Sequence, residues 1–183
     1  MRSLLVLGHG AGGGVDAPDL LAVRDAALAA SVAVARVTQP YRVKGRRAPA
    51  PAGQLDQAWV TVVSTLRNDG VPLIVGGRSS GARVACRTAQ TLGAVGVVAL
   101  AFPLHPPGRA DDPARSRAAE LATGLPTVVV NGDRDPFGVP EPGADVEVCV
   151  RPGERHDLRR DPAAVARAVV AWLARHGWAA ASL

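Results

Sequence analysis

Aromatic side chains are nearly missing from this chain: 3 Trp, 1 Tyr and 2 Phe among 183 residues. A core must therefore be assembled from Val, Leu and Ala. Cysteine is just as sparse. Cys86 and Cys149 each stand inside an apolar run and read as small buried hydrophobes of a reducing compartment, with a bridge between them left open. A chain of this length buries enough surface to do without disulfide staples. No stretch approaches the ~18 consecutive apolar residues that cross a bilayer. The run Leu4 to Leu7 is too short for a signal sequence and passes straight into glycines. These absences predict a soluble, cytoplasmic protein with no membrane partner.

Charge of one sign does not dominate either, with Lys+Arg 21 against Asp+Glu 16 and a net charge of +5. The cations are nearly all arginine and are scattered among acids. Only Arg42, Lys44, Arg46 and Arg47 cluster, in a Pro/Gly-rich loop rather than on a helix face, so no nucleic-acid partner is expected. That loop either selects anionic substrates or is simply solvated.

What the chain does have is regular alternation of strand and helix. Ser3–Leu7, Val32–Val37, Pro72–Gly76, Val95–Ala101, Thr127–Val130 and Val146–Val150 read as strands, several of them continuously apolar. Helices are predicted over Pro18–Ala30 with Asp16 as a cap, Gln54–Asn68, Ser80–Thr91, Pro113–Ala122, and Pro162–His176 between Asp161 and Gly177. Leu55, Trp59, Val62, Val63 and Leu66 form a one-face stripe on the second of these. The expected fold is a single α/β domain over 1–183, a mostly parallel sheet of about six strands with helices on both faces. The connection Phe102 to Gly124 is too short for a cap domain, so a site at the strand ends should be open.

The segment Val75-Gly76-Gly77-Arg78-Ser79-Ser80-Gly81-Ala82 carries chemistry. A strand, a Gly-x-Ser-x-Gly turn and a helix follow one another, the context of a nucleophile elbow. Centring the turn on Ser79 places Gly77 and Gly81 at the crowded flanks. Centring it on Ser80 would place Arg78 where only a small residue fits. A serine needs a base held by a carboxylate, and here both follow in the order acid, then histidine. Asp133 and Asp135 lie in the loop after the fifth strand. Asp135, just before Pro136, is favoured, and Asp133 stays open as the alternative. His156 follows the sixth strand; His105 is a weaker rival, and His176 sits at a helix end.

Gly8-His9-Gly10-Ala11-Gly12-Gly13 admits two readings. Gly8, Gly10 and Gly13 match dinucleotide spacing, which would make an NADP-dependent oxidoreductase. Against that, Pro18 would fall inside the required helix, and no acid ends the second strand. Alternatively, the turn offers the Ala11 N–H, with that of Ser80, to an oxyanion, and His9 holds the loop.

These pieces, with Phe102-Pro103-Leu104-His105-Pro106-Pro107-Gly108, Gly132-Asp133-Arg134-Asp135-Pro136-Phe137-Gly138 and Arg155-His156-Asp157-Leu158, resemble the small α/β-hydrolases of the dienelactone-hydrolase-like branch. Testis-expressed-30-like and KAT8-regulatory-complex-subunit-3-like proteins belong to it. The resemblance implies an α/β-hydrolase fold and a serine hydrolase with a triad at Ser79, Asp135 and His156. It supports Asp135 over Asp133. Family membership names no substrate; the triad mechanism itself asks for a small-molecule acyl substrate (an ester, thioester or related bond) and for no metal or organic cofactor. Some relatives look like interaction subunits, so a non-catalytic binding protein on the same scaffold is the alternative.

Overall fold

The computed structural model describes residues 1–109 and 112–181. Six strands form one all-parallel sheet in the order β2-β1-β3-β4-β5-β6. They are β1 (Ser3–Gly8), β2 (Val32–Val37), β3 (Leu73–Arg78), β4 (Gly96–Leu100), β5 (Thr127–Gly132) and β6 (Val146–Arg151). The helices are α1 (Pro18–Ala29), α2 (Pro40–Val43), α3 (Ala52–Leu66), α4 (Ser80–Thr88) and α5 (Pro162–Arg175).

Alternation along the strands divides the core into two layers. Leu5, Leu7, Ile74, Val98, Leu100, Val128 and Val130 face α1 and α5, where Leu20, Val23, Val165, Val169 and Trp172 pack on them. Val6, Val75, Val97, Ala99 and Val129 face α3 and α4, meeting Leu55, Trp59, Val63, Ala82 and Ala85. Cys86 belongs to the second layer and Cys149 packs on the first, so the sheet separates them and both are free.

The strand order reverses between β1 and β3. In parallel sheets the loops leaving the strand ends on either side of such a point diverge and leave a crevice. The Gly10–Gly13 loop and the turn after β3 stand there.

Several sequence expectations need correction. The segment 113–122 is not an α-helix but two 3-10 turns, Pro113–Arg115 and Ala118–Leu121. It buries only Leu121, too little to hold a helix on the sheet, and the Arg117 N–H is drawn off to the Leu104 carbonyl. Asp16 does not cap α1; its carboxylate pairs with Arg36 at 2.8 Å. Within the α3 stripe, Val62 and Leu66 are exposed at 41% and 39%, so the buried face is narrower than expected. Asp161 does cap α5, accepting from the Ala164 N–H at 2.9 Å.

Candidate active site

β3 ends at Arg78 and α4 begins at Ser80, which leaves Ser79 alone at the turn with φ 52° and ψ −113°. The flanking glycines are dictated by contact with the end of β1. A Cβ on Gly77 would lie 2.5 Å from the Gly8 carbonyl oxygen, and one on Gly81 would lie equally close to it. With both flanks pressed onto β1, the side chain between them is pushed out beyond the sheet edge.

His156 arrives from the loop after β6 and meets it. Ser79 Oγ–H donates to His156 Nε2 at 2.8 Å, and His156 Nδ1–H donates to Asp135 Oδ2 at 2.8 Å, a proton placement inferred from the partners. The Asp135 side chain is fully buried. Its Oδ1 accepts the Phe137 N–H at 2.9 Å, and its Oδ2 also lies 3.4 Å from Asn131 Nδ2. Asn131, itself buried at the end of β5, holds both main-chain groups of Phe102. The Phe137 ring meets the His156 ring edge to face at 4.3 Å. Each group in the chain Asn131–Asp135–His156–Ser79 is thus fixed by a neighbour. Asp133 is placed elsewhere, its carboxylate accepting the Gly153 N–H at 2.7 Å.

The histidine loop has its own anchor. Glu154 is buried and accepts the N–H groups of Arg160 and Asp161 at 3.1 and 2.6 Å. Gly132 lies so close beneath it that a Cβ there would overlap the Glu154 carbonyl.

On the other side stands the N-terminal glycine loop. His9 is fully buried and accepts the Gln39 N–H at Nε2 (2.9 Å), so its proton sits on Nδ1, facing the Gly10 carbonyl. Burial lowers its pKa and favours this neutral form. His9 is therefore a structural tether. Gly10 abuts Ser79, since a Cβ on it would come 3.3 Å from that of the serine. No helix opens at this loop; α1 waits until Pro18. Ala11 and Ser80 both line the cavity over Ser79. As the first residue of α4, Ser80 has an N–H with no intrahelical acceptor.

Arg78 runs under the site. Its Nη2 donates to the His156 carbonyl at 2.9 Å, and its Nε lies 3.1 Å from Asp19 Oδ2 in the first turn of α1. Asp19 is fully buried, and the contact is not aligned as a hydrogen bond. Burial raises its pKa to about 6, against the opposing pull of Arg78 and the first-turn amides.

The cavity itself measures about 370 Å³ and is open to solvent. Pro49, Ala50, Leu55, Pro103 and Phe137 form much of its wall, with Arg83, Arg87 and Arg117 as its cations. The basic segment Arg42 to Arg47, expected as a loop but beginning inside α2, is not among the lining residues. Among the described residues, no group of three or more His, Cys, Asp or Glu side chains is arranged to hold a metal. None of their helices is long and apolar enough to cross a membrane.

A family model described as an alpha/beta hydrolase domain matches residues 1–158. The chain belongs to the alpha/beta hydrolase family. Solved structures of similar fold include a lidless serine hydrolase from Xanthomonas campestris, with TM-score 0.73 and 18% identity over 100% of this chain and 85% of that one. Est1E of Butyrivibrio proteoclasticus with ferulic acid bound gives TM-score 0.76 at 16% identity, covering 94% and 88%. Mouse alpha/beta hydrolase domain-containing protein 10 gives 0.71 at 11%, covering 96% and 91%. At such identities the likeness is one of hydrolase fold. No curated protein sequence matches the chain.

Ser79, Asp135, His156, Ala11 and Ser80, all expected from the sequence, stand together at one edge of the sheet. Arg78, Asp19, Asn131 and Glu154 were not expected there, because their partners lie on other elements. Arg83 and Arg87 could have been found, since they recur four and eight residues after Ser79 on one helix.

Proposed function

We propose that this alpha/beta hydrolase is a serine hydrolase cleaving an ester, thioester or related acyl bond of a small molecule. The observation that carries the reading is the unbroken relay Ser79 Oγ to His156 Nε2 and Nδ1 to Asp135, 2.8 Å at each contact. His156 takes the proton as Ser79 attacks the acyl carbon, and Asp135 holds the imidazole and balances its charge. The Ala11 and Ser80 N–H groups receive the oxyanion, helped by the positive end of α4. The proton passes to the leaving group, an acyl-serine forms, and water releases the acid by the same steps. No metal or organic cofactor enters. We further place the protein in the cytoplasm, with neither nucleic acid nor membrane as partner, and in the dienelactone-hydrolase-like branch.

Treatment with a fluorophosphonate probe, followed by peptide mass spectrometry, tests this. The expected result is an adduct on Ser79 that disappears in Ser79→Ala and His156→Ala. Absence of any adduct on folded protein would favour a binding protein on a hydrolase scaffold, and an adduct on Ser80 would displace the assigned nucleophile.

A further inference from the structure

Arg83, Arg87 and Arg117 all line the cavity over Ser79. Two carboxylates answer them. Arg83 holds Glu120 through Nε and Nη2 at 2.8 and 2.6 Å. Arg87 holds Asp56 in the same forked way at 2.8 and 2.7 Å, and its Nη1 also reaches Glu120 at 3.5 Å. Ion pairing therefore accounts for Arg83 and Arg87, which tie α4 to α3 and to the second 3-10 turn. It does not account for Arg117. That guanidinium meets no carboxylate among the described residues, and only its Nη1 is engaged, with the Pro103 and His105 carbonyls at 3.2 and 3.3 Å. Among the described residues, three cations against two anions leave one positive charge unmatched on the wall. Desolvation, then the neighbouring Arg83 and Arg87, work against charge on Arg117 and lower its pKa, with Glu120 opposing them only in part. A bound anion would relieve that.

One cavity holds Ser79 and all three arginines, so a single ligand can meet both. Arg83 and Arg87 lie four and eight residues after Ser79, about 6 and about 12 Å further along the helix axis. The rest of the lining near the serine is largely apolar, with Pro49, Ala50, Leu55 and Phe137. Such a cavity accommodates a short hydrocarbon chain between a reacting carbonyl and a terminal anion.

We propose that this wall is an anion subsite, and that the substrate is an ester or thioester whose acyl chain ends in a carboxylate. The carboxylate sits on Arg117, flanked by Arg83 and Arg87, while its carbonyl carbon lies at Ser79 Oγ. The inference rests on Ser79 being the nucleophile. The Ser79 Oγ–acyl bond forms as the ester bond breaks, and the leaving alcohol takes the proton that His156 removed from the serine. Water then cleaves the acyl-serine, giving the dicarboxylic acid and restoring the serine hydroxyl. A planar guanidinium suits this task, because it can meet a carboxylate with two parallel N–H donors.

The test compares two substrates of equal chain length, the mono-4-nitrophenyl ester of adipic acid and neutral 4-nitrophenyl hexanoate. The ratio of their kcat/KM values should favour the adipate ester by about tenfold at low ionic strength and shrink in salt. Arg117→Gln should bring the ratio near one, Arg117→Lys should retain part of the preference, and Arg47→Gln, away from the cavity, should retain it all. A wild-type ratio of one or less overturns the subsite. So does an equal loss in Arg47→Gln, which would mean a diffuse field rather than a built site. Calorimetric titration of Ser79→Ala protein with adipate monoamide and neutral hexanamide reads the same preference without turnover. The monoamide, which keeps the terminal carboxylate, should bind about tenfold more tightly, and equal affinity again overturns the subsite. Fluorophosphonate labelling of Ser79 separates the two failures: labelling without anion preference defeats only this inference.

Discussion

Arg78 is turned under Ser79 onto a fully buried carboxylate, while Arg83, Arg87 and Arg117 are turned into the cavity above it. The first is sealed between β3, α1 and the His156 loop, and its two partners are protein groups. Of the other three, Arg83 and Arg87 share two carboxylates beside open solvent, and Arg117 is held by main-chain carbonyls. Cations of one kind thus do opposite work within a few residues. A sealed guanidinium fixes the elements it bridges, because removing it strands a charge. A guanidinium on a wet wall, partly satisfied, is free to meet a ligand. Position relative to the sheet edge, rather than residue type, separates scaffold from recognition.

The largest expected effect that would break this contrast comes from Arg78→Ala. It leaves Asp19 without a counter-charge and frees the His156 carbonyl, so stability should fall by about 3–5 kcal/mol in urea unfolding at pH 7.5. A loss no greater than that of a cavity arginine would show that Arg78 is not a structural tie.

Next is the pH dependence set by Asp19. Its folded pKa of about 6 lies above the ordinary carboxylate value of 3.8. The native state therefore binds more protons than the unfolded chain across that window. The contribution of Asp19 to stability is present in full below about pH 4 and is lost as pH rises through about 6. The stability difference between wild type and Asp19→Asn should drift against wild type by up to about 3 kcal/mol from pH 4 to pH 7. A flat difference would place the carboxylate in ordinary solvent-like surroundings.

Smaller still is Arg87→Ala, which severs a half-buried forked pair between α4 and α3 and should cost about 1 kcal/mol, read from the shift in urea midpoint. Arg117→Gln should change stability by less than about 0.5 kcal/mol, since it breaks no ion pair among the described residues. If Arg117→Gln instead unfolded the protein, Arg117 would belong with Arg78. The faintest signal is chemical: burial pushes the Cys86 thiol up to about 12, so it should stay inert to a disulfide reagent until the chain unfolds.

Legibility followed the range of the interactions. The turn around Ser79 was readable because Gly77 and Gly81 are demanded by a local bend, and the strands because apolar runs need no partner to be recognised. Asp135 and His156 were readable because topology brings successive strand ends to one edge. The pairing of Asp19 with Arg78 was not, since nothing local to either residue marks it. The segment 113–122 was misjudged for a related reason: it buries only Leu121, and its main chain is drawn at Arg117 N–H to the distant Leu104 carbonyl. The choice of Asp135 over Asp133 rested on a loop residue beside Pro136, and the geometry separates the two by their partners, His156 for one and Gly153 for the other.

A residue with a Cβ held, as Ser79 is, at φ 52° and ψ −113° costs the fold on the order of 1–3 kcal/mol, and glycine would relieve that cost. Everything around the turn already favours the smaller residue, with glycines at 76, 77 and 81. Folding alone would choose glycine at 79 as well. A serine there makes the molecule less stable than its own scaffold allows, and the difference measures how far the architecture is bent toward keeping one hydroxyl in view.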